Sequence, residues 1–196
     1  RCFQSMQIDN GTSEPFPWRT TKTQELFAYL LLRRQQHVRK DTLIDLLWPD
    51  VDPKKAYTQL YTTIYRLRKS LEAAGLSIRI LNSGNGYSLT LGDSELDVDV
   101  WERNAPKPEW MTPDRAEEYQ SWLEQYRGDY LEEHDYDWAV HERERLRSIW
   151  YYQAMHLGKL WEECGNTEAA LQWYQKVLLR FPTSEEVYFS LMKLND

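Results

Sequence analysis

Glycine, proline and cysteine are scarce in this chain, with 8, 8 and 2 copies in 196 residues. Collagen-like and low-complexity disordered chains need far more glycine and proline, so both classes are excluded. A disulfide scaffold needs several closely spaced cysteines, whereas Cys2 and Cys164 lie at opposite ends of the chain without zinc-ligand spacing. That usage suits a reducing compartment, and the chain reads as cytoplasmic. No run approaches the ~20 consecutive apolar residues of a membrane helix, and residues 1–15 show no basic start followed by an apolar stretch, so no membrane role is expected. What the chain does hold is aromatic mass: 9 Trp, 13 Tyr and 5 Phe within a 41% hydrophobic composition. This is a globular protein, long enough for one large or two small domains.

Positive charge is also in deficit, with 24 Lys and Arg against 31 Asp and Glu, net -7. Taken whole, that balance argues against a polyanionic partner. The distribution reverses the conclusion. Residues 16–82 carry 12 basic and 6 acidic residues, net +6, while residues 101–196 carry 11 and 19, net -8. Opposite signs in two halves indicate two modules with different partners, residues 1–95 and 96–196.

Within the first module, Phe3, Met6, Ile8, Phe16 and Trp18 alternate weakly around the turn formers Asp9-Asn10-Gly11, which predicts short strands in residues 1–18. Helical spacing of Leu26, Leu30 and their neighbours predicts a helix over 21–35 with a threonine cap. A second helix is expected over 41–48, with Asp41 as N-cap and Pro49 beyond its end. The third, over 54–74, is the clearest. At 100° per residue, Ala56, Leu60, Ile64, Leu67 and Leu71 fall within about 40° of one line. Lys55, Thr58, Thr62, Tyr65, Arg66 and Lys69 lie on the opposite side, and no carboxylate occurs between Pro53 and Leu71. An ordinary solvated helix face mixes signs. Strands 78–81 and 87–91 then flank Asn82-Ser83-Gly84-Asn85-Gly86, a hairpin signal.

Residues 92–112, with Gly92, Pro106 and Pro108 and a short alternating piece Leu96, Val98, Val100, form the expected junction. Helices are predicted over 113–127, 137–163, 167–180 and 184–194. In the third of these, Ala170, Leu171, Tyr174, Val177 and Leu178 recur at helical spacing ahead of Pro182, as in a tetratricopeptide helix that must stack on a neighbour to bury its face. Trp110, Trp122, Trp138, Trp150, Trp161 and Trp173 are expected to fill this helical core. One or two of them, with Tyr151 or Tyr152, are alternatively anchors for a partner. The fold class is thus mostly α with small β elements, a winged helix-turn-helix followed by an all-α tetratricopeptide-like domain.

Three helices and a hairpin, with a cationic outer face on the third, suit duplex DNA. A helix about 10–12 Å across fits a major groove about 12 Å wide. Thr58, Thr62 and Arg66 occupy adjacent turns and are candidate base readers; Lys55, Thr63, Arg68 and Lys69 flank them and suit phosphates, and Tyr65 suits either.

At this point the residues resemble a known family. LIDLLW (Leu43–Trp48), IYRLRKSL (Ile64–Leu71) and GNGY (Gly84–Tyr87) are similar to the OmpR-type winged-helix domain, in particular the branch found in Streptomyces antibiotic regulatory protein-like activators. Downstream, Asp97-Val98-Asp99 with Trp101-Glu102, YRGDYL (Tyr126–Leu131), Asp137-Trp138-Ala139, Glu142-Arg143 and Leu146, then Ala170-Leu171 with Tyr174 and Lys176, Pro182, Glu185-Glu186 and Leu191-Met192, resemble the bacterial transcriptional activator domain that follows that branch. Together these cover about 20–195. The resemblance implies a transcription factor on direct-repeat DNA, bound as a homodimer, with the helical module serving oligomerisation or contact with RNA polymerase. It implies base contacts by Thr62 and Arg66 and backbone contacts by Thr58, Thr63, Tyr65 and Arg68. Many relatives carry a basic residue just before the Gly-x-Gly-Tyr turn. Here Ser83 stands there, so the wing is expected to make polar contacts through Ser83 and Asn85 instead. Some members bear an N-terminal receiver domain of two-component systems, which a chain starting at Arg1 would accommodate.

Two competing readings come from other classes. The basic helix could bind an acidic protein, making the chain a tetratricopeptide-like adaptor. The cluster Asp129, Glu132, Glu133, His134, Asp135, Asp137 could serve a hydrolase, but it lacks calcium-loop spacing and has no second His at ligand distance along a helix. Walker, Gly-x-Ser-x-Gly and Gly-x-Gly-x-x-Gly motifs are absent. No catalytic residue, metal ligand or cofactor is therefore assigned.

Overall fold

The computed structural model describes residues 1–11, 15–107 and 111–195, so Pro108 and Trp110 of the sequence reading lie outside the described residues. The chain divides into two compact units. Residues 6–96, with Arg1, form one, and residues 97–196, with residues 2–5, form the other. The first unit runs α1 (Thr21–Leu32), β1 (Val38–Arg39), α2 (Lys40–Leu47), α3 (Pro53–Ala73), β2 (Arg79–Ser83) and β3 (Gly86–Thr90). The second comprises α4 (Asp97–Arg103), α5 (Ala116–Leu123), α6 (Val140–Glu163), α7 (Thr167–Arg180) and α8 (Glu185–Asn195), with single 3-10 turns at Pro113–Arg115 and Asp137–Ala139. None of the described helices is long and apolar enough to cross a membrane.

In the first unit the Thr20 hydroxyl accepts from the Thr23 amide and starts α1, which buries Leu26, Phe27, Leu30 and Leu31. Helix α2 begins one residue earlier than expected. Asp41 lies within its first turn and caps nothing, because its carboxylate takes the Tyr57 hydroxyl and the Arg39 guanidinium. Helix α3 opens on Asp52, which accepts from the Lys55 amide, followed by Pro53 at the first helical position, where a missing N–H leaves nothing unsatisfied. Its predicted stripe is the core: Ala56, Leu60, Ile64, Leu67 and Leu71 are each at most 2% exposed. The three strands form an antiparallel sheet in the order β1-β3-β2, with Val38 opposite Tyr87 and Ser83 opposite Gly86. Gly84 supplies a φ of +57° to the turn. Gly86 is needed for a different reason: a Cβ there would lie 2.2 Å from the Val38 carbonyl oxygen, so β1 could not pair.

The short strands expected in residues 1–18 do not form among the described residues of that segment. An isolated bridge joins Phe3 to Tyr130, while the Phe16 ring packs tilted against Trp18 at 4.6 Å between centroids and Trp18 against Phe27 of α1 at 5.4 Å. Segment 96–100 is also not a strand. Leu96, Val98 and Trp101 are buried, and helical geometry is what brings Val98 and Trp101 to one face of α4. The Asp97 carboxylate accepts the amides of Cys2 (2.7 Å), Phe3 (3.0 Å) and Val98 (3.0 Å), which ties residues 2–5 into the helical unit.

The helical core is built on tryptophan. Trp101 and Trp122 stack at 4.6 Å and 7°, and each indole N–H donates to the other's backbone carbonyl, at 3.2 Å and 2.7 Å. Buried indoles need such partners. Trp122, Trp150 and Trp173 are buried as expected, whereas Trp138 and Trp161 are half-buried. The Tyr151 hydroxyl hydrogen-bonds Ser184, the residue before α8, and Tyr152 is exposed. Helices α6 and α7 join through a three-residue turn in which Gly165 has φ +73° and Asn166 caps α7. The acidic stretch after α5 is organised by Arg143, whose guanidinium donates to the carbonyls of Tyr130, Leu131 and His134 at 3.0–3.2 Å. Among the described residues no group of three His, Cys, Asp or Glu could hold a metal ion.

Candidate nucleic-acid interface

The outer face of α3 presents Lys54, Lys55, Thr58, Gln59, Tyr61, Thr62, Tyr65, Arg66 and Lys69 to solvent. Thr58, Thr62 and Arg66 stand one above the other on successive turns. The Thr58 hydroxyl donates to the Lys54 carbonyl at 3.1 Å and that of Thr62 to the Thr58 carbonyl at 2.9 Å. Their single hydroxyl hydrogens are thereby used, and each side chain retains acceptor lone pairs and a methyl group for a ligand. Arg66 and Lys55 make no side-chain hydrogen bond or ion pair among the described residues. Lys69 pairs with Glu72 at 2.9 Å, both partners more than half exposed, and Glu72 raises its pKa above the usual lysine value. A pair so exposed is worth little and opens readily to a competing phosphate.

Two of the predicted phosphate ligands are otherwise engaged. Thr63 is 8% exposed, because it lies 60° from the core line, and its hydroxyl donates to the Gln59 carbonyl at 2.8 Å. Arg68 turns towards the sheet, where its guanidinium donates twice to the Ile80 carbonyl, at 2.9 Å and 2.7 Å, and lies 5.8 Å from the centre of the Tyr87 ring. It fastens the hairpin to α3. At the turn, Ser83 is exposed and Asn85 is held from both ends, its side-chain oxygen 3.0 Å from His37 Nε2 and its backbone carbonyl accepting from the Lys40 amide at 2.8 Å.

Spacing along the sequence does not single out Lys40 and Tyr61, which the structure brings to the same face. Tyr61 lies 100° from the core line, on the hairpin side of α3, and is 48% exposed. Lys40 was hidden because nothing in its neighbourhood is periodic; it reaches this face only through the pairing of β1 with β3.

Three helices, a hairpin pinned to the third, and a cation-bearing outer face on that third helix define a winged helix-turn-helix. Residues 17–89 match the family described as Transcriptional regulatory protein, C terminal. This part of the chain is a domain of that family, OmpR-type in its winged helix, and is homologous to regulators of the Streptomyces antibiotic regulatory protein type. Transcriptional regulatory protein MoaR1 of Mycobacterium tuberculosis is 35% identical over 86 residues, 42% of this chain and 28% of that protein. Transcriptional regulatory protein EmbR of the same organism is 34% identical over 95 residues, 47% of this chain and 24% of that protein. The matches thus span about a quarter of the relatives' own length. A solved structure, Mycobacterium tuberculosis EmbR in complex with low affinity phosphopeptide, superposes with a TM-score of 0.77 at 20% identity, covering 98% of this chain and 53% of that one. At that identity the likeness concerns the fold, and it extends through the helical half.

Proposed function

We propose that the chain is a sequence-specific DNA-binding transcriptional regulator in which α3 enters the major groove. The observation that carries this reading is the composition of the α3 outer face: Lys54, Lys55, Arg66 and Lys69 with Thr58 and Thr62, and no carboxylate until Glu72. Arg66 reads a guanine edge through its fork of donors. Thr58 and Thr62, with their hydroxyl hydrogens turned back to the helix, accept from an adenine or cytosine amino group or touch a thymine methyl. Lys55, Tyr65 and Lys69 hold phosphates, and Ser83 with the His37-braced Asn85 makes polar contacts from the turn. The helical unit serves oligomerisation on direct repeats or contact with the transcription machinery, and activation is the expected sense of regulation.

Selection of bound duplex from a random pool tests this. A motif should be enriched in tandem copies, and Arg66→Ala should cost about 1–3 kcal/mol of discrimination at one position of it. No enrichment, with Arg66→Ala and Lys55→Ala leaving binding to every duplex unchanged, would refute it. In that case the adaptor alternative makes its own demand: an acidic protein ligand whose binding needs the α3 cations together with residues 101–196.

A further inference from the structure

The hairpin turn carries no cation, as its residues are Asn82, Ser83, Gly84 and Asn85. A cation nevertheless stands beside it. Lys40, at the junction of β1 and α2, lies with Nζ 5.4 Å from the centre of the Tyr61 ring on α3 and 5.6 Å from that of Tyr87 on β3, and it donates to the Gly84 carbonyl at 3.2 Å. One ammonium is thus fixed by three elements at once. Flexible surface lysines are not held in this way, and both rings attract a cation through their faces.

Among the described residues no carboxylate pairs with this ammonium. The nearest acid along the chain, Asp41, accepts from the Tyr57 hydroxyl and from Arg39 at 3.1 Å, which in that order hold its carboxyl below the usual range. Lys40 makes no ion pair among the described residues. An ammonium has three N–H bonds, and one is used on Gly84. On the other side of Tyr87, Arg68 spends its fork on the Ile80 carbonyl, which leaves Lys40, among the described residues, as a cation available between α3 and the turn.

We propose that Lys40, seated between Tyr61 and Tyr87, is a phosphodiester-binding site that supplies from the β1–α2 junction the cation missing from the turn. The inference rests on the reading of α3 as the DNA-bound helix. With α3 in the major groove and the turn beside the adjacent minor groove, the sugar-phosphate strand separating the two grooves crosses between α3 and the hairpin. That is where the Lys40 ammonium sits, with the half-exposed Tyr61 phenol on the α3 side. The contact is indifferent to base sequence, so it anchors register while Arg66 reads.

The test is the salt dependence of binding of the whole chain to a fluorescent duplex carrying the selected motif and to one of random sequence. Each phosphate contact contributes about 0.9 to the slope of log K against log salt. Lys40→Met should reduce the slope by about 0.9 on both duplexes, which makes the affinity lost between 50 and 200 mM salt about 3.5-fold smaller than for the unaltered chain. Lys40→Arg should keep the slope, and Ser83→Lys added to Lys40→Met should restore it. An unchanged slope in Lys40→Met overturns the proposal while leaving the assignment of α3 intact. If the unaltered chain shows no salt-dependent affinity for any duplex, the reading of α3 fails and this one with it. Should Lys40→Met loosen the hairpin, acetic anhydride footprinting of the unaltered chain decides: duplex must shield Lys40 as strongly as Lys55, and continued acetylation of Lys40 under saturating duplex overturns the site.

Discussion

Replacing Arg68 by alanine separates two roles that look identical in sequence. If Arg68 were a phosphate ligand, its loss would weaken DNA binding and leave the fold untouched. The structure gives it internal work: two N–H bonds to the Ile80 carbonyl, at 2.9 Å and 2.7 Å, and a place beside the Tyr87 ring. Hydrogen bonds to a charged group contribute about 1.5–3 kcal/mol, and the exposure of this guanidinium places it near the lower bound, about 1.5 kcal/mol. In a domain of 60–100 residues each kcal/mol shifts the midpoint by about 4–8 °C, so the winged-helix unit of Arg68→Ala should melt about 6–12 °C lower. Scanning calorimetry measures the shift, and amide exchange should locate the loss in β2 and β3. Arg68→Lys should recover only part of it, since an ammonium cannot reproduce the forked geometry. The slope of affinity against salt should not change. An unaltered midpoint together with a slope reduced by about 0.9 would refute the reasoning and return Arg68 to the phosphates.

Two further outcomes are expected in the helical unit. Gly158→Ala should destabilise it by about 1–3 kcal/mol despite the roughly 1 kcal/mol gain in helix propensity, because the added Cβ would lie 2.6 Å from the Tyr174 ring; a raised midpoint in thermal unfolding would contradict this packing. Lowering the pH should also weaken this unit. Hydrogen bonds from Lys193 and from Lys159 hold the carboxyls of Glu162 and Glu186, respectively, below the ordinary value of 4.5, so their contribution is present above about pH 4.5 and is lost as the pH falls through their lowered values. Midpoints measured from pH 6 down to pH 3 should therefore fall, and Glu162→Gln with Glu186→Gln should flatten the decline; equal declines in both proteins would show that other groups dominate.

Much of this was legible in the residues. The α3 stripe has an unbroken 3.6-residue period, bounded by Asp52-Pro53 and Gly75, and its buried and exposed faces follow from angle alone. The hairpin was legible from its glycines and asparagines. Short elements were not. Leu96, Val98 and Val100 alternate like a strand, but Val98 and Trp101 are the pair that is buried, and over seven residues the two periods cannot be separated. Strand β1 has two residues and no pattern to detect; its existence rests on the close approach permitted at Gly86. In the site, angle placed Thr58, Thr62 and Arg66 correctly on the outer face. It could not show that Arg68 would reach a carbonyl on β2, that Glu72 would lie beside Lys69, or that Lys40 would arrive from another element. Long side chains choose partners by distance in the folded chain, and that information is not periodic.

Amide hydrogen exchange of the whole chain with and without its selected duplex tests the central claim most directly. On a duplex that carries one copy of the motif, the account predicts new protection in residues 54–69 and at the turn 82–86, with α6, α7 and α8 unchanged. Protection in those three helices with none in α3 would contradict it.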